Sequence, residues 1–124
     1  MHLLRRASLV IVIACCGTLS FAADSNFIAR SKQVLVRNFK DPESAKFRGT
    51  FMGKSKEFKG EVLCGEVNAK NSFGAYIGYH RFYVVKEIPQ LAQVEDPSDH
   101  TAMIQFQVFW DAMCLGKPLP KNAN

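Results

Sequence analysis

Residues 64–79, CGEVNAKNSFGAYIGY, decide the fold of this chain. Residues 61–69 are expected to form one β-strand and residues 76–86 another, the latter rich in Tyr, Phe, Val and Ile, which favour strands. Asn71 and Gly74 lie between the two segments and provide typical turn chemistry. Because strands with so short a link usually pair antiparallel, the stretch predicts a β-hairpin.

An amphipathic helix is predicted before the hairpin, over residues 25–40. Its apolar and small side chains recur at helical spacing, and Lys and Arg occupy much of the opposite face. Asp24 or Ser25 can cap its start. Pro42 ends it, because the residue before a proline avoids the helical conformation. A short helical turn is then expected to follow, with Asp41 as its cap and the proline in its first turn.

The segments on either side of the hairpin complete the predicted fold. From Phe47 the apolar period changes to two, which indicates another strand, and residues 54–60 form a charged connector. Residues 89–100 are polar and are expected to form a loop. Residues 101–114 fit both a strand and a helix, but length and the following glycine favour a helix over at least 107–114. The predicted class is α+β, with a three- or four-stranded antiparallel sheet between an N-terminal and a short C-terminal helix.

Two of the four cysteines, Cys15 and Cys16, lie in an apolar N-terminal run that we expect to be removed as part of a secretory signal. The exported chain then keeps only Cys64 and Cys114. Two thiols in an exported domain most often pair. The bond would close a loop of about 50 residues and contribute about 4 kcal/mol in the chain-entropy model. Isolated cysteines without a CxxC motif or a nearby His make a poor metal site. We therefore predict a disulfide between the second strand and the C-terminal helix, and no metal.

The N-terminus has the three parts of a secretory signal: a basic start, an apolar run of about 11 residues, and small residues up to Ala22. The run is shorter than the roughly 20 residues that a membrane-spanning helix needs. We expect residues 1–22 to be a cleaved signal peptide, with the cut after Ala22 or Ala23. A buried N-terminal helix is one alternative. A loose lipobox before Cys15 offers another, in which that cysteine carries a lipid.

Without the signal the chain has about 100 residues, which is enough for one domain, expected at 23–116. Residues 117–124 have few groups to fix them and are expected to be a flexible tail. The remaining 14 Lys and Arg against 11 Asp and Glu give a net charge of +3. This mild excess is compatible with an acidic partner or an anionic wall surface, and it does not indicate nucleic-acid binding.

A resemblance rests on the run CGEVNAKNSFG at residues 64–74, on DPESAKFR at 41–48, and on Trp110 followed by Cys114. With these motifs the chain resembles a family of small exported bacterial and phage proteins, often lipid-anchored, that have no assigned activity. The resemblance covers most of the mature chain and implies a location in the bacterial envelope. Members of that family often have a second glycine where Ala75 stands. The resemblance implies no catalytic residue.

The position of Glu66 poses a problem for a regular strand, on which Cys64, Glu66 and Asn68 share one face. If Cys64 faces the C-terminal helix, Glu66 points toward a covered face, where an unpaired carboxylate is costly. Either Gly65 marks a β-bulge that resets the register, or Glu66 is buried and paired. The candidate partners are Lys70, Arg48 and Arg81.

The polar and aromatic residues of the hairpin allow a structural and a binding interpretation. In the structural one, the amides bond the local backbone, glycines permit tight geometry, and Phe73, Tyr76 and Tyr79 cover the sheet. In the binding one, they form a rigid rim that docks a partner, since Tyr suits interfaces. The predicted ligand-binding residues are Glu66, Asn68, Lys70, Asn71, Tyr76, Tyr79 and His80.

A catalytic interpretation would use His80 as the proton carrier, oriented by Glu66 or Glu61. A single His on a strand is more often structural, and the sequence has no nucleophile elbow, HExxH motif or phosphate loop. We therefore expect a non-catalytic binding module without a cofactor, of which an inhibitor- or immunity-like protein is one form. A small periplasmic hydrolase using His80 and a structural envelope component are the alternatives.

The expected partner is another envelope protein or a cell-wall component. We expect the protein to be periplasmic or secreted, because the signal and the predicted disulfide both point outside the cytoplasm. Association with a membrane, as an outer-membrane lipoprotein, is expected only if Cys15 carries a lipid.

Overall fold

The two helices lie on opposite faces of a four-stranded sheet. The computed structural model describes residues 19–86, 88 and 91–121. The strands form one antiparallel sheet in the order β1-β2-β3-β4, and the predicted α+β class is confirmed. In chain order the elements are α1 Leu19–Val36, a 3₁₀ turn Pro42–Ser44, β1 Lys46–Met52, β2 Val62–Asn68, β3 His80–Val85, β4 Ala92–Val94 and α2 His100–Cys114.

Strand alternation divides the hydrophobic core into two clusters, one under each helix. Under α1 the buried cluster contains Phe27, Leu35, Leu63, Val67, Phe82 and Val84. Under α2 it contains Val62, Cys64, Tyr83, Val85, Phe106, Trp110, Met113 and Cys114. Because successive residues of β2 and β3 serve opposite clusters, both central strands read as nearly continuous apolar runs.

A disulfide joins Cys64 of β2 to Cys114 at the end of α2, with 6.0 Å between their Cα atoms. Both cysteines are buried, and the predicted pairing is confirmed. The chain after β1 also passes close to this end of the helix. A Cβ on Gly53 would lie 2.4 Å from the Met113 carbonyl oxygen, so only glycine fits there.

Both helices have other bounds than the sequence predicts. α1 begins at Leu19 and ends at Val36, four residues before the predicted end, and the chain then turns with bonds from Arg37 N to Val34 O and from Phe39 N to Val36 O. α2 includes the predicted 107–114 and extends back to His100, because the Asp99 side chain caps it there by accepting a hydrogen bond from Ala102 N at 3.0 Å.

The strands after the hairpin turn also differ from the prediction. β3 begins at His80 instead of residue 76, since Gly78, with a φ of 106°, interrupts the extended chain just before it. The predicted loop 89–100 contains the short edge strand β4, which pairs Val94 with Phe82. The sheet therefore has four strands.

The predicted bulge at Gly65 is wrong, because β2 pairs with β3 in regular register there. The irregularity lies in β1, where Arg48 pairs with Glu66 but Phe51 pairs with Cys64, so β1 carries one extra residue. Gly49 in this bulge has a φ of 56°, which glycine adopts most readily. The alternative prediction, a buried and paired Glu66, was correct about the pairing, because Glu66 forms an ion pair with Arg48. It was wrong about the burial, because Glu66 is partly exposed.

The predicted signal peptide, residues 1–22, and the lipid site at Cys15 lie for the most part outside the described residues. Within the described ranges, no helix is both long and apolar enough to cross a membrane. At the other end, the first residue of the predicted tail is held by α2. Lys117 donates from its backbone N to the Asp111 carbonyl and from Nζ to the Asp111 carboxylate, both at 3.0 Å.

Candidate functional site

The sheet face that carries α2 continues past the helix as an exposed surface. Arg48 Nε donates to Glu66 Oε2 at 2.6 Å across β1 and β2, and the Arg48 guanidinium carbon lies 3.8 Å from the centre of the Tyr79 ring. The hydrogen bond to Glu66 raises the pKa of Arg48 above its ordinary value. Because both partners are substantially exposed, the pair orients the guanidinium more than it stabilises the fold.

Two lysines lie over the ring of Tyr76 beside this arginine. Lys46 Nζ is 4.4 Å and Lys70 Nζ is 5.6 Å from the ring centre, within the range of cation–π attraction. Neither lysine forms an ion pair with any residue in the described ranges. Their charge is therefore available to a partner. We call Lys46, Arg48, Lys70, Tyr76 and Tyr79 the cationic–aromatic surface.

A compact turn, residues 70–76, projects from the sheet next to this surface, and we call it the hairpin tip. Lys70 and Tyr76 close it through an isolated antiparallel bridge. Inside it, Asn71 Oδ1 accepts hydrogen bonds from Phe73 N at 2.9 Å and from Ala75 N at 3.1 Å. Asn71 Oδ1 thus organises the turn, and this acceptor is occupied by the backbone.

An amide side chain also holds the segment that leads from the tip to β3. Asn68 Oδ1 accepts from Gly78 N at 3.2 Å, and the φ of 106° at Gly78 places that N–H within reach. The two predicted binding amides therefore both serve the backbone of the hairpin, as the structural interpretation expects.

The tip is also anchored to the 3₁₀ turn before β1. The Tyr76 hydroxyl donates to Ser44 O at 3.0 Å, and Lys70 N donates to Ser44 Oγ at 2.9 Å. Ser44 Oγ in turn donates to Asp41 O at 2.7 Å. The Asp41 side chain makes no capping hydrogen bond, contrary to expectation. Hydrogen bonds on both sides therefore hold the tip in one position.

The hydrogen-bonded hairpin tip exposes the side chain of Phe73. Its side chain is 94% exposed at the apex of the tip, so it covers no part of the sheet, contrary to the structural interpretation. Ile77, just past the tip, is 61% exposed. Burial of a large apolar side chain contributes about 1.5–3 kcal/mol of favourable free energy, which the exposed Phe73 would gain on contact with a partner.

The structure separates His80 from Glu66 and brings Lys70 to the same groove as His80. The β2–β3 register pairs His80 with Val67 and Arg81 with Glu66, so His80 lies on the α1 face. There it lines an open groove of about 630 Å³ together with apolar side chains such as Phe39 and Val94. Glu66 is on the other face, and Glu61 pairs with Lys86 at the far end of the strands. Neither carboxylate is placed to orient His80.

Arg81 marks the boundary between the buried part of the α2 face and the exposed surface. Its guanidinium carbon is 5.5 Å from the centre of the Phe106 ring and 5.4 Å from that of Trp110, and it forms an ion pair with Glu95. The hydrogen bonds from Arg81 lower the pKa of Glu95 below its ordinary value. Arg81 is thus bonded within the protein, unlike Lys46 and Lys70.

The comparisons with known proteins give no relative: no family model matches the chain, and neither a curated protein nor a solved structure does. Among the described residues, no group of three or more His, Cys, Asp or Glu side chains could hold a metal ion.

Sequence reasoning found the hairpin and named Arg48 as a candidate partner of Glu66, but it missed Lys46 and the exposure of Phe73. Lys46 stands two residues before Arg48 in β1 and so shares its face, which was a usable signal. No signal in the sequence shows that Phe73 is exposed.

Proposed function

We propose that this chain is a non-catalytic, disulfide-stabilised binding module of the bacterial cell envelope. It docks an anionic partner through the hairpin tip and the cationic–aromatic surface. Envelope proteins and wall polymers are both within this class of partner. The observation that carries the proposal is a fully exposed Phe73 on a tip that several hydrogen bonds hold in place.

The charge distribution supports an anionic partner. Lys46, Arg48 and Lys70 lie against the rings of Tyr76 and Tyr79, which restrict the positions of the cations, and of the three only Arg48 forms an ion pair in the described part of the chain. A pre-organised cation loses little conformational entropy when it binds, which favours affinity. Tyr and Arg are enriched among the interface residues that contribute most of the binding energy, and the density of Tyr in this part of the sequence agrees with such a role.

The disulfide supports a site of action outside the cytoplasm, because such bonds persist in oxidising compartments. The separation of His80 from Glu66 and Glu61 removes the support that these two carboxylates would have given the hydrolase alternative. A role as a structural envelope component would use the same surface for assembly.

Site-specific photo-crosslinking in the native envelope tests the proposal. A benzophenone amino acid replaces Phe73 in one protein and Phe109 in the control. Phe109 is an exposed aromatic residue that belongs to α2 and not to the tip. We expect a cross-linked adduct from position 73 that weakens when Lys46→Glu and Lys70→Glu are added, and little adduct from position 109. Equal yields from both positions, or a yield from position 73 that the two lysine substitutions leave unchanged, would contradict the proposal.

A further inference from the structure

We propose that the partner of the hairpin tip is an anionic lipid surface, which Phe73 enters while the lysines below it contact the headgroups. This inference rests on the proposed function and names the partner for the same surface. It does not require the lipid modification that the sequence allows at Cys15.

The order of side chains along the tip matches the layers of a bilayer surface. Phe73 stands at the apex with 94% of its surface exposed, Tyr76 lies at the base of the tip with 39% exposed, and Lys46 and Lys70 lie over the Tyr76 ring. Apolar rings favour the hydrocarbon boundary, tyrosines favour the interface, and lysines favour anionic headgroups. The tip presents the apolar ring at its apex, and the tyrosine together with the lysines at its base.

The shape of the surface also favours lipid over a protein partner. Stable protein interfaces bury about 800 Å² on each side around a packed apolar centre. Here Phe73 is a single projecting ring on a narrow turn, and the other exposed apolar residue nearby, Ile77, follows on the far side of the Lys70–Tyr76 bridge. A fluid bilayer can accept a projecting ring without a preformed pocket.

The charges define which lipids are involved. Lys46 and Lys70 have no ion-pair partner in the described part of the chain, so both ammonium groups can pair with headgroups. Each lysine near an anionic surface contributes about 1 kcal/mol, which falls as salt increases. Association is therefore expected to be weak, reversible and salt-sensitive, and selective for anionic over zwitterionic vesicles.

Vesicle co-sedimentation of the purified full chain tests the inference. The vesicles contain phosphatidylcholine alone or phosphatidylcholine with phosphatidylglycerol. We expect binding to the anionic vesicles only, a loss of about tenfold for Phe73→Ser, and a loss of more than about tenfold for Lys46→Glu with Lys70→Glu. The control Phe109→Ser should bind as the unaltered protein does. All variants share the same N-terminal segment, so any contribution from that segment is common to them.

Fluorescence reports the position of the tip directly. In Phe73→Trp protein, anionic vesicles should shift the added emission to the blue, and brominated acyl chains should quench it, while Phe109→Trp should show neither change. Equal binding of the Phe73→Ser variant and the unaltered protein, or equal binding to both vesicle types, would overturn the lipid inference.

The cross-linking experiment separates the two proposals. An adduct of position 73 with lipid supports both of them. An adduct with protein alone, together with no vesicle binding, overturns the lipid inference and leaves the proposed function standing. No excess of adduct at position 73 over position 109 overturns both.

Discussion

Breaking the disulfide between Cys64 and Cys114 is expected to lower the free energy of unfolding by about 4 kcal/mol. The bond joins residues 50 positions apart, and a loop of that length restricts the unfolded chain by about that amount in the entropy model. A domain of this size has a total stability of roughly 5–10 kcal/mol. The reduced protein is therefore expected to unfold at much lower denaturant concentration.

Urea unfolding followed by circular dichroism measures this loss on three samples: the oxidised protein, the protein reduced with dithiothreitol, and the Cys64→Ala, Cys114→Ala variant. The reduced protein keeps both sulfur atoms, so it isolates the effect of the cross-link. The variant should lose about 1 kcal/mol more, because both cysteines are buried and their removal leaves space in the α2 cluster. Coincident midpoints of the oxidised and reduced protein would refute the reasoning.

Three further predictions concern stability and titration. Gly53→Ala should lower the free energy of unfolding by about 1–3 kcal/mol, because the added Cβ overpacks against α2. At Gly74 an added Cβ would meet no atom within 4 Å, so Gly74→Ala should cost only the strain of its positive φ, about 1–2 kcal/mol. Urea unfolding midpoints measure both losses. Arg81 lowers the pKa of Glu95, so stability from this carboxylate is present above its ordinary pKa and lost as pH falls through the folded pKa; Glu95→Gln should flatten the acid side of a stability–pH curve. Burial raises the pKa of Tyr83 to about 12, so in an absorbance titration one of the three tyrosines should ionise late, and Tyr83→Phe should remove that step.

The disulfide and the central hairpin could be predicted because each rests on a strong local signal. Two cysteines remained after the apolar N-terminal run, and two β-rich segments flanked a turn. The start of α2 could not be placed, because Ile104, Phe106 and Val108 alternate as in a strand, and the capping role of Asp99 depends on the chain that follows it. β4 has only three residues in a polar segment, too few for a periodic pattern.

The register was the main limit on predicting the site. Taking β3 from residue 76 left open which residue opposes Glu66, and the structure pairs it with Arg81. A shift of one residue exchanges the faces of a strand, so the sequence alone could not separate His80 from the other candidates. The bulge faced the same difficulty, since Gly49 and Gly65 are equally good positions until the β1–β2 pairing is known. Exposure of Phe73 depends on the whole fold.

Asn71→Ala tests the central claim that a rigid tip, built by its own amide side chain, does the docking. The substitution removes the acceptor for the backbone amides of residues 73 and 75 but leaves the side chain at position 73 and every charge unchanged. The measurement is the cross-linking yield from position 73 in the native envelope, compared with and without Asn71→Ala. We expect the yield to fall about tenfold, since each lost hydrogen bond weakens the ordered tip by about 0.5–1.5 kcal/mol, while the melting temperature of the domain changes little. An unchanged yield would contradict the account.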